Sequence, residues 1–239
     1  MPSQANALLE RFFTAAISGD RAAARAVLDE CFDADATGER VASHLIWPTL
    51  HQVQTLRRSD QLASLAYHYA TRLLRSVTDQ LQMRYEQHAR RDQSILVMSG
   101  PEESEELTGQ LAADLLEADG YTVYYCGGGV SNDEIVEQIG TLGVDKLVVF
   151  GSVPATVPQT RLLIDRLHDL GACPTLQIIV GGGVFNRADG LAEEIGADLW
   201  AKDPIELVQT IAENTQRRMT PDQRTVGRKR RPSAKRAAA

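Results

Sequence analysis

Two different rhythms of apolar residues divide the chain. Up to about residue 85 the apolar positions recur every three or four residues, the period of an amphipathic helix. A first helix is predicted over 6–17, with Leu8, Leu9, Phe12, Phe13 and Ile17 on its apolar side. Gly19-Asp20 ends it and caps a second, in which Ala22, Ala23, Val27, Leu28 and Cys31 recur. A third runs over 39–58 with Val41, Leu45, Trp47, Val53 and Leu56, and Pro48 predicts a kink or break inside it. Asp60 is the expected cap of a fourth, whose stripe is Leu62, Leu65, Tyr69, Leu73, Val77 and Leu81. Four amphipathic helices with short connections predict a small bundle.

After a polar stretch over 85–93 the rhythm changes. Short apolar, β-branched runs at 94–98, 121–126, 145–150, 176–180 and 197–200 alternate with helical patterns at 101–118, 131–142, 157–170, 186–194 and 203–216. That alternation predicts α/β architecture with a five-stranded parallel sheet. The expected organisation is a helical bundle over 1–88, an α/β domain over 93–216 and a disordered basic tail over 217–239.

In an open parallel sheet, ligands bind outside the carboxyl ends of the strands. The first strand ends in Ser99-Gly100-Pro101, with Pro101 expected at the first helical position. Glu102, Glu103, Glu105 and Glu106 follow, placing carboxylates at the positive end of the helix dipole. Two glycine triplets, Gly127-Gly128-Gly129 and Gly181-Gly182-Gly183, close later strands. Each is either a sharp strand-to-helix turn or a place where a ligand meets the backbone. Neither completes G-x-G-x-x-G, since Asn132 and Asn186 stand where the last glycine belongs, and there is no Walker A sequence. A phosphoacceptor receiver domain needs an aspartate at the third strand's end, which instead reads Phe150-Gly151-Ser152.

Charge changes the picture at one end only. The net charge of −7 conceals a tail from Arg217 with nine basic residues and one acid. The tail is therefore expected to make nonspecific nucleic-acid contacts that the acidic body resists. Cys31, Cys126 and Cys173 show no metal spacing and are expected to be reduced, buried thiols. No apolar run spans a membrane and no signal-peptide pattern opens the chain, so a cytoplasmic protein with no membrane contact is expected.

Four segments carry a family resemblance. TGQLAADLLEADGYTV, VVFGSVPATVPQ, IIVGGGVFNRADGLAEEIGADLWAKDP and, in the bundle, RSDQLASLAYHYAT resemble cobalamin (vitamin B12)-binding modules with an N-terminal helical cap. Such modules occur in methionine synthase, corrinoid methyl carriers and light-sensing transcriptional repressors. The resemblance spans about 6–215. It implies a flavodoxin-like strand order, cobalamin as cofactor, and a site built from Glu106, Gly109, Ser152, Val153, Gly181, Gly182, Arg57 and His68.

The sequence departs from that family where cobalt is held. The lower-ligand motif Asp-x-His-x-x-Gly, counted back from Gly109, puts Ser104 at the aspartate and Glu106 at the histidine, with Glu103 in place of a preceding glycine. The tryptophan over the corrin falls at Arg57, and the glutamate of a Glu-His pair falls at Tyr67, while His68 is kept. Glu106 is either an ordinary acid at a helix start or a ligand contact; His68 is either an interfacial histidine or a ligand. No Ser/His/Asp or Cys/His nucleophile pattern is present, so no enzyme is read. The resemblance implies a sensor or regulatory module acting through a partner protein, in which oligomerisation is open. The alternatives are a module that has lost cobalamin and binds a protein or another small ligand, and a methyl carrier.

Overall fold

A computed structural model describes residues 2–151, 153–171 and 173–216. The N-terminal unit contains α1 (Pro2–Ser18), α2 (Arg21–Asp33), α3 (Gly38–Val41), α4 (Trp47–Arg58) and α5 (Ser64–Leu81). The Asp20 carboxylate caps α2, accepting from the Ala22 and Ala23 N–H groups at 3.1 and 2.9 Å. The break expected at Pro48 takes the form of a π-turn over Ala42–Ile46 that runs directly into α4. Pro48 has no N–H and its ring crowds the carbonyl four residues back, so the ladder widens just ahead of it.

Two expectations for α5 are corrected. Asp60 does not cap the helix: it sits at φ +57°, and the N-cap is Ala63. Leu62, Leu73, Val77 and Leu81 of the expected stripe are buried, together with Tyr67, Ala70, Thr71, Leu74 and Thr78, whereas Leu65 and Tyr69 are 61% and 44% exposed. The buried face extends to Tyr67 and Thr71 because α5 packs on both α1 and the first helix of the second unit.

The second unit contains β1 (Ser94–Ser99), α6 (Glu103–Ala118), β2 (Thr122–Gly127), α7 (Asn132–Leu142), β3 (Lys146–Phe150), α8 (Val157–Leu170), β4 (Gln177–Gly181), α9 (Gly183–Arg187), α10 (Leu191–Ile195), β5 (Leu199–Ala201) and α11 (Pro204–Glu213). The five strands are all parallel in the order β2-β1-β3-β4-β5, the flavodoxin-like arrangement. Val97, Val148 and Ile179 pack with α6 and α11 on one face; Leu147, Val149 and Val180 pack with α7, α8 and α9 on the other. The helix expected over 186–194 is two short helices, α9 and α10, separated at Gly190, which adopts φ +72°. Pro101 does not begin α6; it precedes the N-cap, Glu102.

The bundle's core continues into Leu107, Leu111 and Leu115 on the outer face of α6 and reaches Ile205 and Val208 of α11. Arg58, at the end of α4, reaches the start of α9 at Gly183, just past the carboxyl end of β4. Burial of this shared apolar core is what joins the two units.

Gly182 is the turn glycine on which the β4 end depends. It adopts φ +102°, and a Cβ there would lie 2.4 Å from the Gly151 carbonyl oxygen. Gly182→Ala is expected to cost about 2 kcal/mol, read as a lower urea midpoint with an unchanged slope.

Candidate functional site

Three turns meet at the carboxyl ends of adjacent strands. The Gly100 N–H donates to the Phe150 carbonyl at 2.9 Å, and the Gly151 N–H donates to the Gly181 carbonyl at 2.8 Å. The β1, β3 and β4 ends therefore form one continuous ledge. α6 rises from its β1 side, and its first turn carries the acidic run.

The acids of that turn point in different directions. Glu105 is 1% exposed and reaches under the ledge, where its Oε1 accepts from the Val153 N–H at 3.1 Å and its Oε2 from the Glu102 N–H at 3.3 Å. Its carboxylate lies against Gly100, which has no Cβ to obstruct it. Glu106, one residue on, faces away from the β3 and β4 turns. Its Oε2 takes Arg75 Nη2 of α5 at 3.2 Å, and its Oε1 is near Gly127 at the end of β2. Glu103 faces the bundle as well, accepting from Thr71 Oγ1 at 2.9 Å and pairing with Arg72 Nη1 at 3.0 Å, with His68 Nδ1 at 3.9 Å.

Neutral hydrogen bonds complete the seam. The buried Ser104 donates its N–H to the Tyr67 hydroxyl at 3.2 Å, and its carbonyl accepts from Gln54 Nε2 at 3.0 Å. Gln54 Nε2 also donates to Thr108 Oγ1 at 3.0 Å. Burial pushes the Tyr125 hydroxyl up to about 12, so it stays a neutral donor, bonded at 2.6 Å to the Glu106 carbonyl. The start of α6 is thus fixed both to the bundle and to the sheet.

The remaining expected residues take separate places. Gly109 is a packing glycine: a Cβ there would press on Ser99 and the Tyr125 ring at 3.0–3.1 Å. Gly181 is also closely covered, with the Phe150 ring 2.8 Å from where its Cβ would stand. Arg57 is exposed, donates to Ser64 Oγ at 3.2 Å and lies 5.2 Å over the Tyr67 ring. His68 is exposed at the edge of that ring, 5.6 Å between centroids. Val153 is on the ledge, and Ser152 lies outside the described residues. Val153, Gly181 and Gly182 are brought together; Glu106 and His68 stand on the bundle seam and Gly109 within the packing. The residue of the acidic turn that does reach the ledge is Glu105. The spacing Glu102-x-x-Glu105, a capping-box pattern, was the signal for it.

On the α6/α11 face, Phe150 and Glu105 occupy the space beneath the ledge. On the α7/α8 face a cavity of about 580 Å³ opens between the β1 and β3 ends. Its lining includes Met98, Val149, Val153, Asn132 and Gln159.

Comparison with known proteins decides the family. The B12 binding domain matches residues 93–209, and a second B12 binding domain family matches 8–82. The chain is a cobalamin-binding module with an N-terminal helical cap. Its fold is that of the monomethylamine corrinoid protein of Methanosarcina barkeri, with a TM-score of 0.77 and 17% identity over 87% of this chain and 98% of the other. A cobalamin-binding protein from Desulfitobacterium hafniense DCB-2 aligns at a TM-score of 0.46 with 18% identity, covering 86% of this chain and 97% of the other. In sequence, dimethylamine corrinoid protein 1 of Methanosarcina acetivorans is 25% identical over 43% of this chain. The match spans 47% of that relative's length.

The residues present fit cobalamin in one respect and not in another. The backbone ledge formed by the β1, β3 and β4 turns supplies a floor, with the cap's Arg57 and His68 exposed on the neighbouring seam. They do not fit ligation from below by a protein imidazole, because no histidine occurs from 93 to 167. The carboxylate at that motif position is already held by Arg75. Burial also pushes the Cys31 and Cys126 thiols up, which keeps them protonated and poor metal ligands. Among the described residues no helix is long and apolar enough to cross a membrane.

Proposed function

We propose that the module is a cobalamin-dependent sensor or regulatory unit that acts through a protein partner and holds its cofactor with no protein histidine beneath the cobalt. The observation that carries this is the Arg75–Glu106 pair, which commits the lower-ligand position to holding the cap. Cobalamin, when bound, supplies a cobalt centre whose upper ligand responds to alkylation, light and reduction. The Gly181-Gly182 turn and Val153 would hold the corrinoid from the sheet side, and Arg57 and His68 from the cap. A change felt at His68 or Arg72 has a short route inward: both lie on Glu103, Glu103 starts the helix that Glu105 anchors, and Glu105 holds the Val153 turn. The tail from Arg217, outside the described residues, adds a salt-sensitive nonspecific contact to nucleic acid in this reading.

The test is the visible spectrum of the natural chain titrated with aquocobalamin and methylcobalamin in the dark. Binding with no imidazole from the protein is the expected result. Failure to bind either form would favour the reading in which the fold serves protein interaction alone. The filling of the α6/α11 face by Phe150 and Glu105 favours that second reading. A methyl carrier, the role implied by histidine-ligated members of the family, would need Glu106 freed from Arg75.

A further inference from the structure

Two arginines from different units converge at the start of α9. Arg58 ends α4 of the cap, and Arg187 ends α9 of the α/β unit. A Cβ added to Gly183 would stand 2.7 Å from Arg187 Nη1 and 3.9 Å from Arg58 Nη1, so the two guanidiniums face a single point. Both side chains are exposed and open to a ligand. We propose that they form a binding site for a phosphate-type oxyanion, which bridges the cap and the α/β unit. The site is independent of the corrinoid reading and needs no cobalamin.

The local acids do not relieve the repulsion between these like charges. Among the described residues no carboxylate pairs with Arg58; its Nη2 donates to Thr55 Oγ1 of its own helix at 3.4 Å. Asp203 is the acid that acts on this cluster, and its oxygens are engaged elsewhere. Its Oδ1 accepts from the Ile205 and Glu206 N–H groups at 3.0 and 2.8 Å, and its Oδ2 lies 3.7 Å from Lys202 Nζ. Partial burial and the Arg58 charge both hold the Arg187 guanidinium below its ordinary value. The His51 imidazole of α4 is held below its usual value by partial burial and then by Arg58, with Asp203 opposing and Arg187 adding. His51 is therefore neutral at pH 7 and offers a ring N–H without a third charge.

Two positive charges set the ligand class. A guanidinium presents its N–H groups in a planar fork that matches phosphate oxygens. An oxyanion seated between the arginines takes hydrogen bonds from both and turns a repulsive contact into an attractive one. A phosphate monoester carries between about 1.5 and 2 negative charges at neutral pH, which neutralises the pair, whereas a carboxylate carries one. The rest of the body is acidic, so this patch is where an anion is drawn in. Because the ligand touches both units, its binding also stabilises the docked cap.

The experiment titrates the full chain, labelled with 15N, with inorganic phosphate, holding ionic strength constant with sodium chloride. Phosphate should shift the Nε–H signals of Arg58 and Arg187 and raise the unfolding midpoint. Arg58→Gln and Arg187→Gln should each weaken binding by roughly tenfold or more, the loss of one charge-assisted hydrogen bond. In chloride alone Arg58→Gln should leave the unfolding midpoint unchanged or higher, since it removes a repulsion. A lowered midpoint would make Arg58 a structural residue and overturn the repulsive pair on which the site rests. The proposal is also overturned if phosphate does no more than chloride, or if Arg58→Gln binds phosphate as the natural chain does. It fails too if the arginine signals respond to cobalamin and not to phosphate, for the pair then serves the corrinoid alone. Phosphate binding by a chain that takes up no cobalamin defeats the cobalamin reading and leaves this site standing.

Discussion

Asp114→Asn should stabilise the protein at pH 8 by on the order of 3 kcal/mol and leave it unchanged at pH 4. Asp114 lies on the face of α6 that packs against the cap, 7% exposed, with one carboxylate oxygen unpartnered. Burial raises its carboxyl to about 7, with Glu117 and then Asp79 adding to the effect. The direction follows from linkage. A raised carboxyl pKa means that the unfolded chain gives up its proton first, as pH rises past about 4. Folded stability from this group is thus full below that pH, falls between about 4 and 7, and is level above. Asparagine fills the same volume and never ionises, so it removes the loss. Urea unfolding of both proteins at pH 4, 6 and 8 reads this directly. Parallel curves for the two chains would show that the seam hydrates Asp114 or pairs it. The Tyr85 hydroxyl, also buried at this seam and unpartnered, is pushed up by burial and by Asp114 itself.

Glu105→Ala should cost about 3 kcal/mol, while Glu106→Ala should cost less than about 1 kcal/mol. Both are glutamates of the same helical turn, and the family motif directs attention to Glu106. Yet Glu106 is a third exposed and its pair with Arg75 is screened by solvent. Glu105 is fully buried, and its removal leaves the Val153 N–H without its acceptor. The comparison is made by thermal unfolding of the two variants at one pH. A larger loss for Glu106→Ala would mean that the cap seam, not the ledge, holds the start of α6.

The sheet was readable from the chain because its central strands β3 and β4 are buried on both faces, so each appears as a continuous run such as Leu147–Phe150. Cofactor and fold came from longer matched segments. Side-chain direction within the α6 turn was not readable. Glu103, Glu105 and Glu106 are chemically equivalent in sequence, and only packing decides that the first and last meet arginines of α5 while Glu105 turns inward. The face of α5 was readable at Leu73, Val77 and Leu81 but not in its first turns. Leu65 and Tyr69 have the right period, but Tyr67 and Thr71 are the residues drawn inward, by their hydrogen bonds to the start of α6. Asp60 has the identity of a cap, but its positive φ places it in the turn ahead of the helix rather than at its start. Phe150 is one more apolar residue in a strand until the fold sets its ring against Gly181.

The central claim is that this module takes cobalamin with no protein nitrogen beneath the cobalt. The most direct measurement is the electron paramagnetic resonance spectrum of cob(II)alamin bound to the chain, with the protein at natural isotope abundance and then uniformly labelled with 15N. A nitrogen bonded to cobalt splits the lines according to its nuclear spin. The account predicts a bound spectrum whose splitting is identical in the two preparations. A splitting that changes with the protein's label, and persists in His68→Ala, would place a protein nitrogen under the metal and contradict it.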